Sequence, residues 1–141
     1  MSTKPFTVVY VPIGVGTFHL ESAQKLFDES VALLKELTPR GVFPDKMLLT
    51  LTDLDAYLDT VNPGLVVLQN VTFANAAYAT EVLRRFDCPL MLWTLREPVI
   101  DGGRLRLNSL TGAFSAANML TAFGRPYCYV YGSPEGRQHI G

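Results

Sequence analysis

Residues 6–37 read FTVVYV, PIGVGTFH and LESAQKLFDESVALLKEL, and these three pieces set the class of fold. The first piece, Phe6–Val11, is a continuous apolar run rich in β-branched residues, which predicts a strand buried on both faces. Pro12 and Gly14 end it. In the third piece Leu20, Ala23, Phe27, Val31 and Leu34 recur at steps of three and four, which predicts one apolar helix face over Leu20–Leu37. Thr17 is the expected N-cap and Pro39 the expected stop. A buried strand, a short loop and a long amphipathic helix form the opening of a β/α unit.

The same alternation continues along the chain. Strands are expected at Met47–Leu51, Leu65–Leu68, Pro89–Leu95 and Tyr127–Tyr131. Helices are expected after Asp53 as far as Asn62-Pro63-Gly64, over Asn75–Phe86 and over Thr111–Phe123. Alternating strands and helices favour a parallel sheet covered on both faces. The expected architecture is a three-layer α/β/α domain. Its parallel sheet has five strands in the order 2-1-3-4-5 and is flavodoxin-like or Rossmann-like.

Composition bounds the function. The chain has 141 residues, enough for one domain, and a formal net charge of −1, which gives no electrostatic footprint for nucleic acid or anionic lipid. No stretch is long and apolar enough to span a bilayer, and the N-terminus lacks a signal peptide's apolar segment, so the cytoplasm is the expected compartment. Cys88 and Cys128 are far apart and lie in or beside apolar runs, as reduced core cysteines do. Gly132–Gly136 follows the last strand and the sequence stops at Gly141 without a closing helix. That pattern is expected of a domain cut from a longer multidomain chain.

In open parallel sheets, ligands bind beyond the carboxyl ends of the strands. Four segments qualify: Pro12–His19, Asn70–Ala74, Arg96–Ser109 and Gly132 onward. The first has Gly14 and Gly16 but His19 where a dinucleotide fingerprint needs its third glycine, so a nicotinamide site is set aside. Thr17 and His19 remain candidate donors to a polar ligand. The third segment is long for a strand-to-helix connection. Its arginines, with Asn108 and Ser109 at a helix start, could hold hydroxyls or a carboxylate. Trp93 is either a core residue or a surface for a sugar ring to stack on. Asp53 and Asp55 read as a helix start, stabilised by its dipole. The histidines, His19 and His139, have no metal-ligand spacing around them, so no metal site is expected in this chain. A receiver-like domain needs acidic residues where Pro12, Ile13, Gln69 and Asn70 stand. No catalytic residue is assigned.

The stretch Pro89–Pro98 (PLMLWTLREP), Gly102–Gly112 (GGRLRLNSLTG) and Gly16–Glu21 (GTFHLE) resemble the corresponding regions of L-fucose/L-arabinose isomerase-like proteins. The resemblance implies the N-terminal domain of a longer aldose–ketose isomerase, inactive alone. Mn²⁺ would be the cofactor of the whole enzyme, with its ligands in later domains. It implies packing against the remaining domains of the same polypeptide, a homo-oligomer and a small sugar substrate. Trp93, Arg96, Asn108 and Ser109 would then contact substrate or a neighbouring subunit. The competing expectation is a stand-alone flavodoxin-like module that binds a sugar or nucleotide. Apolar surface meant for other domains would be left exposed and make the isolated domain self-associate.

Overall fold

The computed structural model describes residues 7–98, 100, 102 and 105–134. Four strands form one sheet: β1 (Val8–Ile13), β2 (Leu65–Asn70), β3 (Leu90–Thr94) and β4 (Tyr127–Tyr131), side by side in that order. All three pairings are parallel, with Val9 opposite Val66, Leu68 opposite Leu92 and Leu92 opposite Tyr129. The helices are α1 (Leu20–Leu37), α2 (Leu51–Leu58), α3 (Ala76–Arg85) and α4 (Ser109–Ala122). Phe6, Arg104 and His139, singled out in the sequence, lie outside the described residues.

The sheet therefore has four strands and not the expected five. The Met47–Leu51 segment makes only part of a strand. Val42 bridges to Val9 and Leu48 to Ile13, both in the parallel sense. Tyr10 N donates to Val42 O at 3.0 Å, and Leu48 N donates to Pro12 O at 2.9 Å. Between the two bridges the edge segment advances six residues while β1 advances four, so the ladder cannot stay in register. Pro44 sits in that excess and has no N–H to donate. The position of this edge, on the far side of β1 from β2, is the one the order 2-1-3-4-5 requires.

Strand alternation sends side chains to two cores. Val9, Val11, Ile13, Val66, Leu68, Leu90 and Leu92 pack with Leu54 and Leu58 of α2, Ala79 and Val82 of α3, and Ala113, Ala116 and Leu120 of α4. Tyr10, Val67 and Trp93 point to the opposite face and meet Ala23, Leu26, Phe27 and Leu34 of α1. The segregation follows from a common crossover hand. The chain moves from β1 outward through α1, then reverses through α2, α3 and α4, which puts α1 alone on its face. The result is a three-layer, flavodoxin-like α/β domain.

A buried polar chain pins α1 to the sheet. The Tyr10 hydroxyl donates to Gln69 Oε1, Gln69 Nε2 donates to Ser30 Oγ at 3.0 Å, and Ser30 Oγ donates to Leu26 O at 2.6 Å. All three side chains are fully buried. Across the sheet the Tyr57 hydroxyl donates to Tyr10 O at 2.8 Å. Burial holds both phenols well above the ordinary tyrosine pKa. Unfolding above about pH 10 then releases protons that the folded chain keeps, so stability falls as pH rises. The expected slope is about 1.4 kcal/mol per pH unit for each such tyrosine. Urea unfolding between about pH 9 and 11 measures it. Tyr10→Phe should remove its share of the slope, and an unchanged slope would contradict the assignment.

The last strand is the exception to core burial. Tyr127–Tyr131 reads as a core strand, yet Tyr129, Val130 and Tyr131 are 44%, 40% and 52% exposed at the sheet edge. Cys128 is likewise exposed and Cys88 only half-buried, so neither is the core cysteine expected from its apolar neighbours. Leu110, Phe114 and Phe123 add exposed apolar area on and just after α4.

Candidate functional site

The loops that leave the carboxyl ends of β1, β2 and β3 are tied into one layer, and Glu97 is the centre of the ties. Its carboxylate accepts the backbone N–H of Arg106 at 3.0 Å, of Leu107 at 3.3 Å and of Asn108 at 2.5 Å. Three N–H groups converging on one carboxylate form an anion nest at the entrance to α4. The carbonyls of the same short segment face the other loops. Arg106 O accepts from His19 N at 2.9 Å and Leu107 O from Phe73 N at 2.7 Å. The Leu107 side chain is fully buried in the α1-side core, anchoring the segment from below. Glu97 was not singled out in the sequence, since its partners are backbone groups that carry no residue signal.

His19, not Thr17, caps α1. Its Nδ1 accepts from Ser22 N at 3.2 Å and lies 2.7 Å from Ser22 Oγ. Thr17 sits two residues before the cap, in the exposed turn. The β1 loop also meets the β2 loop: Val15 N donates to Thr72 Oγ1 at 2.8 Å, and the Phe18 and Phe73 rings lie 6.3 Å apart. A Cβ on Gly14 would stand 2.7 Å from Thr72 Oγ1, so this close approach requires glycine.

Ser109 opens α4, two residues earlier than expected, and is 1% exposed. Its hydroxyl donates to Asn70 O at 2.5 Å, accepts Leu95 N at 2.9 Å and pairs with Thr94 Oγ1 at 2.8 Å. One side chain thus fastens α4 to the ends of β2 and β3. Gly112 lets the first turn of α4 settle on Asn70, where a Cβ would come within 2.5 Å of the Asn70 amide nitrogen. Trp93 is 6% exposed in the α1-side core, and its indole N–H donates to Gly132 O at 2.7 Å, tying in the loop after β4. Ser109 and Trp93 therefore hold the layer from beneath. His19, Thr17 and Arg96 are exposed at its surface, and Asn108 and Arg106 are partly so.

Asn108 takes φ 52°, the left-handed region, as the N-cap of α4. Its side chain makes no capping bond to the helix; its Oδ1 accepts from the Thr111 hydroxyl at 2.7 Å. Asn108→Gly should keep the backbone and change stability by less than about 1 kcal/mol, while Asn108→Val should cost roughly 1–3 kcal/mol through backbone strain. Paired denaturant melts test this, and equal costs for the two variants would show that the conformation is not the constraint.

Among the described residues, this edge offers hydrogen-bonding and cationic groups. The Glu97 carboxylate accepts three backbone N–H groups, and among the described residues the guanidinium groups of Arg96 and Arg106 are the cations of the loop. Guanidinium, imidazole and amide groups suit hydroxyls and oxyanions. Asp53 and Asp55 lie on α2 and are engaged there, Asp53 with Lys46 at 3.4 Å and Asp55 with Arg85 at 3.3 Å. Thr50 caps α2, with Asp53 in its first turn. Among the described residues no three His, Cys, Asp or Glu side chains converge as metal ligands. No helix among them is long and apolar enough to cross a membrane. Among the described residues, one cavity of about 520 Å³ lies beside α2 and another of about 380 Å³ between Cys88 and Cys128, both away from the loop residues above.

No protein-family model matches the chain. It is 60% identical over 131 residues to a sulfoquinovose isomerase of Clostridium sp. (strain MSTE9), a match covering 92% of this chain and 29% of that protein. A sulfoquinovose isomerase of Priestia aryabhattai is 37% identical over 132 residues, again 92% of this chain and 29% of that protein. An azoreductase from Bacillus anthracis str. Sterne superposes with a TM-score of 0.45 at 16% identity, over 96% of this chain and 92% of that one. The relatives are named sugar isomerases, in line with the broad expectation from sequence, and the sugar in their names is sulfoquinovose rather than L-fucose or L-arabinose. Over 92% of its length the chain is thus similar to one part of these sugar isomerases, spanning 29% of their length.

Proposed function

We propose that this chain is a loop-bearing domain of a larger aldose–ketose isomerase acting on a sulfonated sugar of the sulfoquinovose type. The observation that supports the reading most strongly is the 60% identity to a sulfoquinovose isomerase across nearly the whole chain. The structure is compatible with it. Three loops are locked together at the edge of the sheet where ligands of parallel folds bind, and among the described residues the locked loop carries Arg96, exposed, and Arg106, partly so. A sulfonate calls for such groups, and the sugar hydroxyls for His19, Thr17 and Asn108. In this reading Arg96 is the main cationic contact, while Trp93 and Ser109 hold the loops in place.

The remaining domains of the same polypeptide, and other copies in a homo-oligomer, would complete the site. The exposed apolar residues of β4 and α4 suit such packing. Mn²⁺ is proposed for the whole enzyme, where it would polarise the sugar oxygens during isomerisation. The described residues of this chain bring no three metal-ligating side chains together, so they do not fit the ion. The role left to this domain is to bind and orient the sugar.

The test is turnover of sulfoquinovose to its ketose by the full-length polypeptide with Mn²⁺, beside residues 1–141 alone. Activity of the full-length polypeptide and none from the isolated domain is expected. Comparable turnover by the domain alone, or a clear thermal shift of the monomeric domain with one sugar or nucleotide, would instead support a stand-alone module.

A further inference from the structure

We propose that Glu97 is a positioning residue for the substrate loops: it holds residues 105–108 in the one arrangement that aligns the β1, β2 and β3 loops. This rests on the reading of the domain as part of a sugar isomerase. The geometry behind it is independent of that reading. Residues 106–108 turn three N–H groups toward the Glu97 carboxylate. The Arg106 and Leu107 carbonyls take the N–H of His19 and of Phe73. Asn108 lies at the end of the same segment in the left-handed region, a conformation that needs support from outside the residue. Removing the carboxylate leaves three converging N–H dipoles with nothing between them. The segment then has reason to turn, and its carbonyls move away from His19 and Phe73. Arg96 and Asn108, on either side of the nest, lose their relative placement.

Glu97 acts in this account through the backbone, since both its oxygens accept N–H groups of residues 106–108. Its effect must appear in binding. Unfolding of part of the sample lowers the active fraction, which lowers kcat and leaves KM unchanged. Misplaced loops raise KM.

The experiment uses the full-length polypeptide as wild type, Glu97→Gln and Glu97→Asp, with sulfoquinovose as substrate. Glu97→Gln is expected to raise KM at least tenfold with less than a threefold change in kcat, and Glu97→Asp to recover part of the loss. Hydrogen exchange of the 106–108 amides is expected to quicken at least tenfold in Glu97→Gln, read without reference to turnover. An unchanged KM with wild-type exchange overturns the inference, as does a loss confined to kcat. If the wild type itself does not turn over sulfoquinovose, the functional reading fails, and exchange alone decides whether Glu97 holds the loops.

Discussion

Ser109→Ala is expected to lower the unfolding free energy of the domain by roughly 2–4 kcal/mol, a large effect for a single oxygen atom. The hydroxyl is nearly inaccessible and its bonding capacity is full: it donates to Asn70 O and accepts from Leu95 N, with the Thr94 hydroxyl as a further partner. Alanine leaves the Leu95 amide and the Thr94 hydroxyl buried without their acceptor. Each stranded group costs about 1–3 kcal/mol, far more than the net worth of one satisfied hydrogen bond. Urea unfolding at constant m-value gives the number. A loss under about 0.5 kcal/mol would mean that α4 is held to the sheet by apolar contact alone.

Gly112→Val should cost more still, roughly 3 kcal/mol or above. The space beside Gly112 is filled by the Asn70 amide, at 2.5 Å from a would-be Cβ, and by Ala74 N at 3.2 Å. Asn70 is fully buried and Ala74 N is backbone, so neither can step aside cheaply. Alanine is the informative control. It gains about 1 kcal/mol of helix propensity over glycine, which partly offsets the clash. Valine adds bulk and loses that gain through its branched Cβ. The expected order of stability is Gly, then Ala, then Val, read from thermal or denaturant midpoints. Full stability in the valine variant would show that α4 lies farther from β2 than described.

The parallel sheet was legible because its strands are apolar on both faces, and α1 because its apolar positions keep a helical period. The edge strand was overcounted for a local reason: Phe43-Pro44-Asp45 precedes an apolar run that looks like a strand, and only the pairing reveals the two surplus residues. Tyr127–Tyr131 shows the opposite limit. Its composition is that of a core strand, but position at the sheet edge is a tertiary fact.

Site residues divide in the same way. The candidate loops were chosen by topology, and the structure brings three of them together. Thr17 was the better capping residue by propensity, yet His19 took the role because its main chain is also held by Arg106 O. Ser109 was singled out as a ligand donor; its spacing from Thr94 and Leu95 gave no hint that its hydroxyl would be enclosed. Glu97 gave no signal because a carboxylate that binds main chain has no partner residue to find. Sequence shows which side chains are present at an edge, and folding determines which remain unspent.

The most direct test of the account is a crystal structure of the full-length polypeptide with sulfoquinovose bound. The prediction is that side chains from 12–19 or 96–109, Arg96 foremost, lie within about 3.2 Å of sugar or sulfonate oxygens, in the same subunit or a neighbouring one. A substrate fully enclosed by other parts of the polypeptide, with none of these loop residues in hydrogen-bonding reach, would contradict it.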